Sequence, residues 1–220
     1  IVLNSGLNDD NNTPIEGDFI ETKEGFIFEV KGVEHPKDRI IAYIRYINPD
    51  QRKEKIYELD VRFLFLQAKA QGYIYNPPWL DFPIQAVPVE NITKIYYSDR
   101  ELSKIIQETQ SKEEKRYRTP TLKKIVEFVK YLSDNSEVSL KSFGITGSHL
   151  IGREHENSDL DIVVFGRLQS KKVREFIRKC FAKGDPRIRS YSLNELKEHY
   201  KFRAKGSSIK QYQFISAEVR

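Results

Sequence analysis

A chain of 220 residues with 39% hydrophobic and 31% charged side chains is long enough to bury a core as one large domain or two small ones, which excludes a disordered polymer. Its net charge of +5 is a mild positive balance that favours anionic partners such as nucleotides, RNA or another nucleic acid. The longest apolar runs, Phe63–Leu66 and Ile162–Phe165, fall far short of the roughly 18 residues that span a bilayer, so no membrane partner is expected. The single Cys180 excludes a disulfide framework and a cysteine zinc site. The opening IVLNSGLNDDNN lacks the basic start and apolar run of a signal peptide, and a cytoplasmic setting is expected. The chain has no Met, even at position 1, and the sequence leaves open whether it is complete.

Phe19–Thr22 and Phe26–Val30 read as strands around the turn Lys23-Glu24-Gly25, whose glycine supplies the positive φ of a hairpin. Ile40–Tyr46 is a third strand. From Glu58 to Gln71, Leu59, Phe63, Leu66 and Ala70 recur at helical spacing, with Gly72 where a helix-ending glycine belongs. Residues 73–97 form short extended pieces rich in proline. Ser98-Asp99-Arg100-Glu101 is a capping-box pattern opening a polar helix, which runs into the charged stretch Lys112–Arg118, where a domain boundary is expected. Thr119-Pro120 reads as a cap followed by proline at the first helical position, ahead of an apolar stripe of Leu122, Ile125, Val126, Val129 and Leu132. After it, Ser142–Thr146 and Asp159–Phe165 read as strands, Ser170–Lys183 and Ser192–Lys205 as helices, and Ile209–Val219 as a last strand.

The informative stretch is Phe143-Gly144-Ile145-Thr146-Gly147-Ser148, ten residues, then Asp159-Leu160-Asp161-Ile162-Val163-Val164. Residues i and i+2 of a strand share a face, so Asp159 and Asp161 are expected to project together while Leu160, Ile162 and Val164 face a core. Paired hard oxygens suit Mg²⁺, which takes one or two carboxylates plus substrate phosphate oxygens. Gly147-Ser148 is expected to open a short helix at His149–Ile151, its glycine letting backbone amides approach a phosphate and its serine hydroxyl donating to it.

This pattern resembles the signature of the nucleotidyltransferase superfamily related to DNA polymerase beta. With GDFIETKEG, VKGVEHPKDRIIAYIRY and FPIQAVPVENI in the same order, most of residues 17–220 resembles an archaeal family of predicted nucleotidyltransferases. The resemblance implies an α+β fold, with a polymerase-beta-like mixed sheet backed by helices over residues 117–220 and a small α+β accessory domain, selecting the substrate, over residues 1–112. It implies an enzyme that takes a nucleoside triphosphate and two Mg²⁺ ions and transfers the nucleoside monophosphate to an acceptor hydroxyl with release of pyrophosphate. Gly147 and Ser148 would hold phosphates, and Asp159 and Asp161 the metals. A third carboxylate is usual on a later strand. The last strand here offers only Glu218, which becomes the third candidate catalytic residue. If that acid is absent, the alternative is a non-catalytic nucleotide- or nucleic-acid-binding module of the same fold. The sequence leaves the base, the acceptor and the oligomeric state open.

Other candidates read as structure. His149 and His155, without a third ligand, fit a polar loop. Cys180 falls on an apolar helix stripe and Trp79 in a packed proline loop. Any nucleic-acid affinity is expected from Lys112–Arg118 and Lys171–Lys183.

Overall fold

Alternating apolar residues in the first half of the chain and helical periodicity in the second give an α+β fold. The computed structural model describes residues 2–4, 13–47, 59–110, 120–154, 158–203 and 209–218. In chain order its strands are β1 (Val2–Asn4), β2 (Phe19–Thr22), β3 (Ile27–Val30), β4 (Arg39–Tyr46), β5 (Ile74–Tyr75), β6 (Ile84–Pro88), β7 (Ile92–Tyr96), β8 (Phe143–Thr146) and β9 (Asp161–Phe165). Its α-helices are α1 (Leu59–Lys69), α2 (Ser98–Gln110), α3 (Pro120–Ser136), α4 (Arg167–Lys183), α5 (Leu193–Arg203) and α6 (Gln211–Glu218). One compact unit runs from Ile1 to Val173 and a second from Arg174 to Arg220.

The first unit contains two sheets. A six-stranded antiparallel sheet has the order β5-β6-β4-β3-β2-β7. The β2–β3 hairpin forms as its turn residues require: Gly25 has φ +78° and donates its N–H to the Thr22 carbonyl at 2.9 Å. Because successive side chains alternate faces, Ile20, Phe28 and Ile44 bury on one side of this sheet with Leu66 of α1 and Tyr73. Phe19, Ile27 and Tyr46 bury in a second cluster with Leu150 and Ile151, from the turn that follows the Gly-Ser pair. Tyr46 shares its strand face with Ile44 and joins this cluster where the β3–β4 register shifts between Ile27 and Phe28. The second sheet is mixed, of order β1-β9-β8, with β1 parallel and β8 antiparallel to β9.

Several boundaries differ from expectation for identifiable reasons. Gly72 does not terminate α1 in a left-handed conformation. It lies in a single 3₁₀ turn, Gln71–Tyr73, whose Tyr73 is buried in the sheet core. The start of α2 is capped from a distance, since the Ser98 N–H donates to Asp18 Oδ1 at 2.9 Å, and Asp18 is fully buried. The start of α5 is a capping box: the Ser192 N–H donates to Glu195 Oε2 at 2.8 Å and the Glu195 N–H to Ser192 Oγ at 3.3 Å.

The expected last strand is a helix, α6. Its entry is fixed locally, as the Lys210 N–H donates to Gln213 Oε1 at 2.9 Å while the Lys210 carbonyl accepts from the Gln213 N–H at 2.9 Å and the Phe214 N–H at 3.1 Å. Phe214 then packs on His199 and Tyr200 of α5, with ring centroids 5.9 and 5.6 Å apart. This packing outweighs the β propensity of Tyr212, Phe214 and Ile215. Glu58, Thr119 and the stretch Lys112–Arg118 lie outside the described residues. Among the described residues no helix is long and apolar enough to cross a membrane.

Candidate functional site

Backbone conformation and close packing hold the Gly-Ser turn against the start of β9. Thr146 pairs with Asp161 across β8 and β9, and the chain then leaves β8 through Gly147 at φ +68° and ends its turn at Gly152, φ +66°. A Cβ on Gly147 would collide with Asp161 Oδ2 and lie 3.3 Å from its Cγ. Glycine therefore serves twice here, admitting the left-handed backbone and letting it lie flat against the carboxylate. The Arg153 N–H donates to the Ser148 carbonyl at 2.9 Å and closes the turn.

Residues 147–152 form turns rather than the expected short helix, because Leu150 and Ile151 are both drawn into the sheet cluster around Phe19, Ile27 and Tyr46. No helix dipole is then available at this turn, where an anion would meet loop amides and the Ser148 hydroxyl. The two strands beneath are fixed by close approaches. The Thr146 hydroxyl donates to the Gly17 carbonyl at 2.6 Å. A Cβ on Gly144 would lie 2.9 Å from both Phe165 Cε2 and Ser98 Oγ and 3.0 Å from the Ser98 backbone carbon, so the start of α2 rests directly on β8.

The two aspartates are exposed, but only Asp161 stands on β9, which begins at that residue, with Asp159 in the segment leading into it. Leu160 is 37% exposed and does not enter the core as a strict strand alternation requires. Ile162 and Val164 are buried as expected, and so are Val163 and Phe165, since Ile15 covers the face they share. Beyond Asp161, β9 is thus apolar on both faces, and its exposed end alone carries an acid.

Glu218 ends helix α6 in the second unit, so the strand that brought it forward as a third carboxylate does not exist. Among the described residues no group of three His, Cys, Asp or Glu side chains is placed to hold a metal ion. His149 is buried, not part of an open polar loop, and His155 lies outside the described residues. Cys180 is buried as expected. Trp79 is 61% exposed, its ring set T-shaped to Tyr75 with centroids 6.1 Å apart, so it is not buried in the expected packed loop.

Sequence reading missed the polar groups that the six-stranded sheet presents near the turn. Tyr96, packed beside Leu150 and Ile151, donates its hydroxyl to Glu21 Oε2 at 2.6 Å. Burial first, and then the Glu21 carboxylate, push its pKa up. The Arg153 guanidinium lies over the Tyr46 ring at 5.3 Å, within cation–π range. Strand alternation places Phe19 and Glu21 on one face, but nothing local to β2 indicates that a turn about 130 residues later packs there.

The comparisons bear on this site. Residues 122–215 match the family model of the nucleotidyltransferase domain. Over that stretch the likeness to nucleotidyltransferases is shown, and it contains Gly147, Ser148, Asp159 and Asp161. A relative from the archaeon Methanocaldococcus jannaschii, bearing the name of an uncharacterized protein, is 28% identical over 219 residues. That alignment covers 92% of this chain and 62% of the relative, so the chain spans about three-fifths of its length. No solved structure matches.

Proposed function

We propose that the chain is a Mg²⁺-dependent nucleotidyltransferase that moves a nucleoside monophosphate from a nucleoside triphosphate to an acceptor hydroxyl. The observation that carries this reading is the left-handed Gly147 backbone lying against the Asp161 carboxylate, a space that any side chain at 147 would fill. This close approach sets the turn directly beside an exposed acid, the pairing that a metal-bound triphosphate would use. Ser148 and the amides of the turn orient the phosphates, and Asp159 and Asp161 are the residues that would hold the two metal ions. Bound Mg²⁺ would supply charge neutralisation along the triphosphate. The acceptor oxygen bonds to the α-phosphorus, the bond to the β-phosphate breaks, and pyrophosphate leaves. With the strand argument for Glu218 gone, the acceptor's proton passes to solvent water as the new bond forms. Residues 1–112 serve in this proposal to select the acceptor, contributing the Glu21, Tyr96 face beside the turn.

The lack of a three-carboxylate group among the described residues favours one second reading, a module that binds the nucleotide without transferring it. Calorimetric titration of Mg²⁺ with a non-hydrolysable triphosphate analogue tests the site. Asp159→Asn and Asp161→Asn should each weaken binding at least about tenfold, the loss of roughly 1.4 kcal/mol or more that one charge-assisted contact is worth, read on protein that thermal melting shows to be folded. Variants that bind like the parent would overturn the assignment. Pyrophosphate release in the presence of candidate acceptors separates the transferase from the binding module.

A further inference from the structure

The positive charge of this protein is concentrated in one unit. Arg174–Arg220 holds twelve Lys and Arg against five Asp and Glu, a net of +7, while residues 1–173 hold twenty-five against twenty-seven, a net of −2. Three of the five acids are already engaged by bases of the same unit: Asp185 with Arg187 at 3.2 Å, Glu195 with Arg189 at 2.7 Å, and Glu198 with Lys201 at 2.6 Å. Arg174, Arg178, Lys179, Lys183, Lys197 and Lys210 are exposed, and none of them has an ion pair among the described residues. Exposed aromatic rings are interleaved with these cations. Phe181 is exposed on α4, Tyr212 on α6, and Tyr191, its ring 5.4 Å from His199, stands before α5.

We propose that the Arg174–Arg220 unit binds single-stranded nucleic acid, its unpaired cations meeting backbone phosphates and its exposed rings offering faces to unstacked bases. A field of +7 over fewer than fifty residues attracts a polyanion and repels a cationic one. Exposed aromatics among unpaired cations are the combination that single strands use, the rings stacking on bases while the cations meet phosphates. An acidic protein segment would satisfy the cations but leave the rings without partners. This deepens the nucleotidyltransferase reading by naming the acceptor class, and rests on that reading only for the chemistry performed on the bound strand.

The test is fluorescence anisotropy of the full chain with a labelled single-stranded RNA 20-mer and a DNA 20-mer, without nucleotide or Mg²⁺, across a KCl series. Binding should weaken steeply with salt as condensed counterions are released. Arg174→Glu with Arg178→Glu, and separately Lys183→Glu with Lys197→Glu, should each lower affinity tenfold or more and flatten the salt slope. Lys123→Glu with Lys124→Glu, exposed on α3 of the first unit, should change affinity by less than twofold. The RNA and DNA arms decide which sugar is preferred, and either supports the proposal. Absence of binding to both, a salt-independent affinity, equal loss in the α3 control, or tighter binding of polyglutamate than of either strand would overturn it. Asp161→Asn should leave strand binding unchanged, so failure of the triphosphate site and failure of this surface are read separately.

Discussion

The Asp18 carboxylate is buried and accepts the Ile15 N–H at 3.0 Å on Oδ2 and the Ser98 N–H at 2.9 Å on Oδ1. Asparagine has a single acceptor oxygen and would set its amide against the other N–H, so Asp18→Asn should cost about 1 to 3 kcal/mol in urea unfolding. Burial outweighs these hydrogen bonds and raises the Asp18 pKa above 3.8. A raised carboxylate pKa means that the folded state binds the proton more tightly than the unfolded chain does. Its contribution is therefore most favourable below the unfolded value and declines as pH rises through the folded one. The difference in stability between parent and Asp18→Asn should carry that downward slope in the acid range above 3.8, and a flat difference would show that Asp18 does not titrate there. At Gly147 the φ of +68° and the Asp161 carboxylate act together. Gly147→Ala should cost about 1 kcal/mol or more of stability through backbone strain and weaken triphosphate binding more than tenfold, measured by melting and by the same titration.

The turn 147–152 takes its shape from what it packs on. With Leu150 and Ile151 both buried against Phe19, Ile27 and Tyr46, the loop is fixed at its far end as well as at β8. Leu150→Ala should cost about 2 to 4 kcal/mol, the usual loss for a buried leucine, and should also weaken triphosphate binding although residue 150 bears no polar group. If stability falls and affinity stays at the parent value under conditions where the variant is folded, the seating of the loop is irrelevant to binding. Gly144 acts at the same scale, because α2 rests on β8 through it. Gly144→Ala forces a shift against backbone as well as side-chain atoms and should cost about 1 to 3 kcal/mol, read by urea unfolding.

Within the first unit, contacts join the six-stranded sheet to the mixed sheet across the boundary expected at Lys112–Arg118. The Thr146 to Gly17 hydrogen bond, the α2 start on Gly144 and the Leu150, Ile151 cluster all cross it. A fragment of residues 117–220 would expose each of these surfaces. It should show no cooperative thermal transition, whereas the parent should, and a cooperatively melting fragment would show that the later half needs none of the earlier contacts.

The amino-acid sequence by itself determined the β2–β3 hairpin, the core-facing stripe of α3 and the Gly-Ser and Asp-x-Asp pattern. Each depends on spacing within a few residues, on turn chemistry, or on a motif whose residue types are the chemistry. The matched residues 122–215 contain that pattern. Only the tertiary structure decided that the Gly-Ser pair opens turns in place of a helix, since the cause is a sheet more than a hundred residues earlier. The same holds for the cap of α2, supplied by an aspartate 80 residues away. The segment after Ile209 is a helix although its residues favour a strand, because a helix lets Phe214 reach His199 and Tyr200. Local periodicity carries the preference of an isolated segment, whereas the partner that overrides it is chosen by burial between segments far apart in the chain.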